Sequence, residues 1–278
     1  MRTLAAILVL TLAACARSGT DRPAAATTGS DTLANLPTTA VGDAWPDDLG
    51  AFLAIERAGS ADALLFRRDT TQSPSTIAVV GFDSLASAVT LRDVRNQPCA
   101  ARALLRVTGA PAGWSVALDA ATAHPLLIDA VEDLPHADSQ RVVIRVQRAL
   151  NALPDTGSAV EFHALPVVVR DAWIVHTPQG PLTVARAARL RNVEAASHEE
   201  LRFAVLEENT PRFVARTAGE EESVESWDLL AAVQTARGPV LAIAREGAKS
   251  LQLELVRRDS VSWRSIWRSD ALTCPAQP

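Results

Sequence analysis

"SLQLELVRRDSVSWRSIWRS", residues 250–269, decides the class of fold. Leu251, Leu253 and Leu255 alternate with Gln252 and Glu254; after the turn-forming "RRDS", Val261, Trp263 and Trp267 fall on one side, with Arg264 and Arg268 on the other. A period of two belongs to a strand, whose successive side chains point to opposite faces. The stretch therefore reads as an antiparallel hairpin with one buried side. Upstream, Trp227, Leu229, Ala231 and Val233 alternate in the same way, and "ARGP" at 236–239 turns the chain into "VLAIARE". Together these segments predict a four-strand meander at the C-terminal end. The same pattern predicts strands over 63–68, 76–82, 102–108, 114–119, 166–176, 182–189, 201–207 and 212–217.

One segment changes period. In "ADSQRVVIRVQRALNALPD", residues 137–155, Val142, Val143, Val146, Ala149, Leu150 and Leu153 recur at helical spacing, while Arg141, Arg145, Gln147 and Arg148 take the other face. Asp138 or Ser139 is placed to cap the start, and Pro154 to stop the helix. A second, short helix, or only a turn, is read around 195–201 in "AASHEEL". The class is thus α+β, predominantly antiparallel β with one central helix. "LPDTGS" at 153–158 is the best candidate boundary, giving an N-terminal β-rich lobe over 45–155 that ends in the helix and a C-terminal antiparallel lobe over 156–278; one large domain fits the pattern nearly as well. No repeat supports a propeller.

The first residues carry a different message. Arg2 precedes an apolar run from Leu4 to Ala14, which has the charged and hydrophobic regions of an export signal and is too short for the roughly 20 residues that a membrane span needs. Leu12-Ala13-Ala14-Cys15 then resembles the lipobox of bacterial lipoproteins: a branched apolar residue, two small ones and a cysteine. The resemblance covers only about the first twenty residues. It implies that residues 1–14 are removed and that Cys15 leads the mature chain with its sulfur in a thioether to diacylglycerol and its amino group acylated. Two or more acyl chains hold a protein stably on a membrane, where one does not. Ala16 after the cysteine, where aspartate favours inner-membrane retention, implies delivery to the outer membrane, facing the periplasm. Residues 16–44, rich in Ala, Thr, Gly, Ser, Asp and Pro, hold too little apolar surface to offset ordering entropy. With Cys15 they make a tether, 15–44, of roughly 30 Å mean reach.

Formal charge is −5, and −6 once Arg2 is lost, with 32 acidic side chains against the remaining Lys and Arg. Arginines are scattered rather than clustered and only Lys249 is lysine; a chain of this kind lacks the basic patch of a nucleic-acid binder. Cys99 and Cys274 form an even pair for an oxidising compartment. If joined, they close a loop whose chain-entropy stabilisation is at most about 5 kcal/mol; the alternative is two buried thiols. Neither has metal-ligand spacing, and no metal or cofactor is implied.

No G-x-S-x-G, S-x-x-K or H-E-x-x-H motif and no phosphate-binding glycine loop occurs. His124, His163 and His176 lie in or beside predicted strands. His136 with Glu132, Asp133 and Asp138 is the densest titratable cluster, although Asp138 as a helix cap explains it more simply. "GEEESVES", 219–226, has carboxylates without the alternating ligands of a calcium loop and reads as a solvated turn. Trp263 and Trp267 would stack sugars if exposed; their alternation with arginine favours burial. The leading expectation is a lipid-anchored envelope protein whose β-rich, non-catalytic domain binds or scaffolds, with the membrane as one partner and an envelope protein as another, its small-molecule ligand undetermined. The alternative is an anchored periplasmic hydrolase with an unfamiliar site, His136 and its acidic neighbours being the first suspects.

Overall fold

The computed structural model describes residues 46–49, 53–56, 62–65, 76–80, 87–96, 103–108, 116–119 and 124–269, the last without 194, 195, 222, 248, 249 and 261. After a single 3-10 turn at Asp47–Leu49, six strands run in chain order: β1 (Leu53–Glu56), β2 (Asp62–Leu65), β3 (Thr76–Val80), β4 (Ser87–Asn96), β5 (Ala103–Thr108) and β6 (Val116–Asp119). They close a barrel in the order β1-β2-β5-β4-β3-β6, every pairing antiparallel, with Leu53 opposite Leu118 at the closure. Closure removes the sheet edges that short strands would otherwise expose.

Two short strands, β7 (His124–Pro125) and β8 (Ile128–Ala130), lead into α1 (His136–Asn151). Then come β9 (Val168–Thr177), β10 (Gly180–Val193), β11 (Ala196–Glu207), β12 (Thr210–Glu220), β13 (Ser226–Thr235), β14 (Gly238–Gly247), β15 (Ser250–Arg258) and β16 (Trp263–Arg268). They form two five-stranded antiparallel sheets, β12-β11-β10-β9-β8 on the helix side and β16-β15-β14-β13-β7 in the centre. Among the described residues the fold is therefore mostly antiparallel β with one α-helix, as the sequence predicts, and the C-terminal meander is β13 to β16. Each sheet is completed by a short strand from before the helix.

The central sheet is buried on both faces, where the alternation predicts one. Val240, Ala242, Leu253 and Leu255 pack with Leu49, Val116 and Leu118 on the barrel side. Leu241, Ile243 and Val256 pack with Phe203, Val205 and Phe213 of the other sheet. Two bulges explain why the simple period misleads. Between Leu229 and Ala231 the register of β13 on β14 skips Leu230, and between Leu255 and Val256 the register of β15 on β16 skips Ile266. An extra residue turns everything beyond it to the other face. Trp227 and Leu229 consequently face the helix-side sheet while Ala231 and Val233 face the barrel, and Trp263 and Trp267, both buried, sit in different cores rather than on one face.

On the outer face of the helix-side sheet, Val142, Val146 and Leu150 of α1 lie over Ala185, Ala187 and Ala204. Small side chains let the helix approach closely, and the exposed Ile144 falls off the buried stripe. The helix starts earlier than the sequence suggests. Neither Asp138 nor Ser139 caps it: Pro135 occupies that position, its carbonyl receiving the amides of Asp138 and Ser139 at 2.7 and 3.0 Å, while Asp138 pairs with Arg141 inside the first turn. Proline tolerates the place because its missing N–H is one that no helix start can satisfy internally. The expected stop holds, with Ala152 as the last half-helical residue before Pro154.

From Ala196 onward the "AASHEEL" segment is strand, not helix or turn. Glu200 lies opposite Arg189 across β10 and β11, and a cross-strand pair of opposite charge stabilises such a ladder. Two hairpins share one turn device. Thr177 and Thr235 each set a hydroxyl against the carbonyl of the glycine three residues on, at 2.7 and 2.9 Å, and accept the amide of the intervening residue, at 3.2 Å. Gly180 and Gly238 have φ of +123° and +115°, a conformation that a side chain would strain.

Candidate functional site

Cys15, Cys99 and Cys274 lie outside the described residues. His136 is exposed at the first position of α1, close in sequence to exposed Glu132 and Asp133, yet the hydrogen bonds and ion pairs of the described residues join it to none of them. Asp138, the third acid of that cluster, is committed to Arg141. The "GEEESVES" carboxylates also part company. Glu220 ends β12 and its carbonyl takes the amides of Ser223 and Val224 in a turn, while Glu225 binds Arg245 at 2.5 Å. Arg245 in turn stands 5.9 Å over the Trp227 ring, close enough for a cation–π attraction.

Among the other histidines, Nε2 of His176 is 2.7 Å from the Asp129 carboxylate, on a surface where both side chains are about half exposed. His163 reaches the Ser158 carbonyl at 3.1 Å, His198 is 3.4 Å from Glu161, and His124 is exposed in β7. Among the described residues no three of His, Cys, Asp and Glu converge as a metal set.

Three strand arginines that alternation would send to solvent are buried beneath α1 and the segment that follows it. Arg202 donates to Glu200 at 2.5 Å, to the Leu150 carbonyl at 3.2 Å and to Ser158 Oγ at 3.2 Å. It thereby meets one of the orphaned carbonyls at the negative end of the helix. Arg189 binds Asp155 at 2.5 Å and the Phe162 carbonyl, and Arg216 donates to Thr156 O, Pro154 O and Ser158 Oγ. Burial lowers the Arg202 guanidinium against the opposing pull of Glu200, and burial with the neighbouring charge of Arg202 pushes Arg216 down to about 10. Asp155 is held below the ordinary carboxylate range by the Ala164 amide and by Arg189. These groups fasten residues 154–163 to the sheet; their donors and acceptors are mostly spent on one another.

A cleft of about 770 Å³ opens at the turn end of the helix-side sheet, between α1, the 177–180 and 207–210 turns and the end of β15. Its volume is within the range of small-molecule pockets. Glu207 is its electrostatic centre: Arg258 binds it at 2.5 Å, Arg212 at 3.3 Å, and Trp263 Nε1 donates at 3.1 Å. Burial works to raise this carboxyl, but the hydrogen bonds from Arg258 and Trp263 prevail and hold it low. Arg212 is aimed there by a bulge, for the β11–β12 register skips it between Val205 and Leu206. Arg145, which helical spacing assigns to the solvent face, is part-buried and donates from Nη2 to Thr183 Oγ1 at 3.0 Å. Gln147 of the same face reaches the Val167 carbonyl at 2.8 Å. Sequence reasoning missed this cleft, since its residues come from five separated segments. The available signals were the small β10 and β11 alanines, which admit a close helix, and the polar hairpin "EENT" beside "TPQG".

Comparison with protein-family models, with characterised proteins and with solved structures finds no match to this chain.

Proposed function

We propose that the chain is a bacterial envelope lipoprotein, held by acyl groups on Cys15 at the end of the 15–44 tether, whose β-rich body works by contact with another envelope component. The observation that carries this reading is the N-terminal order of Arg2, the apolar run 4–14, Leu12-Ala13-Ala14-Cys15 and a polar exit. Ala16 favours the outer membrane, with the body in the periplasm. Among the described residues no helix is long and apolar enough to cross a membrane; the proposed attachment is by lipid.

A contact role draws further support from β12, which among the described residues is hydrogen-bonded in its sheet only to β11. An edge of this kind presents backbone donors and acceptors that a partner's extended segment can complete. Thr217 is already engaged through its hydroxyl with the Glu225 carbonyl, and Pro211 lacks an amide, which confines the usable edge to the middle of the strand. In the acid–histidine pair of His176 and Asp129, neither residue lines the large cleft, so the arrangement favours contact over hydrolysis.

Fractionation tests the anchor. The native chain should sediment with membranes, and Cys15→Ala should move to the soluble fraction or stay as an unprocessed precursor of higher mass. Processed Cys15→Ala that still sediments to the same extent would overturn the proposal.

A further inference from the structure

We propose that the cleft at the turn end of the helix-side sheet binds a small monocarboxylate with an apolar body, recognised by Arg145. This assignment does not depend on the lipid anchor. Arg145 is the one cleft arginine whose charge is not answered. Arg212 and Arg258 both pair with Glu207, whereas the only partner of Arg145 among the described residues is the neutral Thr183 hydroxyl. Its Nε is buried without an acceptor. A part-buried guanidinium with no counter-ion is costly unless a ligand supplies the negative charge. Thr183 reinforces the site: its oxygen accepts from Arg145, which leaves its own O–H to donate to the same anion.

The charge balance of the lining selects the kind of anion. Three arginines, 145, 212 and 258, stand against Glu207 and Glu208, an excess of one positive charge. One negative charge completes it, while a dianion would overfill it and meet Glu208 at the 207–210 turn. Thr177, Gln179, Asn209 and Thr210 make one part of the remaining wall polar, while Val142, Ile174, Pro181 and Leu182 give it an apolar part that suits a hydrocarbon or aromatic body. Free acetate would satisfy the arginine and leave that wall wet; inorganic phosphate would do the same with excess charge.

The full-length chain in non-ionic detergent, titrated calorimetrically with benzoate, provides the test, with benzyl alcohol and inorganic phosphate as comparison probes. Saturable benzoate binding is expected, at least about tenfold tighter than either comparison probe, as befits a hydrogen bond to a charged group. Arg145→Gln should weaken benzoate by about tenfold or more and leave benzyl alcohol unchanged. Arg141→Gln, one turn earlier on the same helix and exposed, should bind benzoate as the parent does. Thr183→Val, nearly isosteric, gives an independent reading should Arg145→Gln fail to fold, and should weaken benzoate severalfold. No saturable benzoate binding, equal binding by parent and Arg145→Gln, equal binding by parent and Thr183→Val where Arg145→Gln does not fold, or phosphate or benzyl alcohol binding as tightly as benzoate would each overturn the assignment.

Discussion

Arg202 and Glu200 are both buried, at 0% and 1% side-chain exposure, and are 2.5 Å apart. Removing one partner leaves the other charged without compensation, whereas removing both exchanges an ion pair for packing. Arg202→Met should therefore cost about 3–5 kcal/mol in urea unfolding, and Arg202→Met with Glu200→Leu should recover much of the loss. A double variant that loses as much as Arg202→Met and Glu200→Leu added together would mean that the pair is not coupled. A second prediction at this scale concerns acid. Asp48, tied to Arg257 and Thr235, and Asp155 and Glu207 are all held below their ordinary values. A carboxylate lowered in the folded state contributes fully above its unfolded value, about 4, and its contribution fades as pH falls through the lowered folded value. Stability should thus be flat from neutral pH to about 5 and fall below about 4. Glu207→Gln should be less stable than the parent at pH 7, with the gap closing towards pH 2; a constant gap would remove Glu207 from the account. Little of this was legible residue by residue. Period two says which side chains share a face, and it does not say what covers that face, so it carries no sign that α1 and residues 154–163 lie over Arg189, Arg202 and Arg216.

At the level of elements, the helix was legible because six apolar positions keep one phase through 137–155. Its buried stripe makes a sharp contrast. Leu150 is inaccessible and Ile144 is half exposed, so Leu150→Ala should cost about 2–5 kcal/mol and Ile144→Ala no more than about 0.5. Comparable losses for the two would place the helix face wrongly. Strands with strong alternation were found at their right places, and those missed, β1, β4, β7 and β8, are short or carry mixed polarity. The bulges at Leu230 and Ile266 were invisible, because an inserted residue preserves the local alternation on both sides while reversing its sense. For that reason Trp263 and Trp267 read as one face and occupy two. "AASHEEL" misled in the opposite direction: its acids look like a solvated helical turn, and the ladder partner Arg189 that makes a strand of them is 11 positions from Glu200.

Across the whole molecule, α1, the helix-side sheet, the central sheet and the barrel strand β6 succeed one another through three hydrophobic cores. The middle sheet is apolar on both faces because each of its neighbours needs a face to bury against. Arg145 of the cleft, without a counter-ion among the described residues, and the β12 edge, paired there only with β11, are what we propose this stack leaves for other molecules, and neither is readable without it. The proposed location is the reverse case, read from fifteen residues and independent of the fold. The measurement that tests it most directly is mass spectrometry of the mature protein extracted from membranes. A first residue of Cys15 carrying diacylglycerol and an amide-linked acyl chain is the result expected; an unmodified Cys15, or a chain still beginning at Met1, would contradict the account.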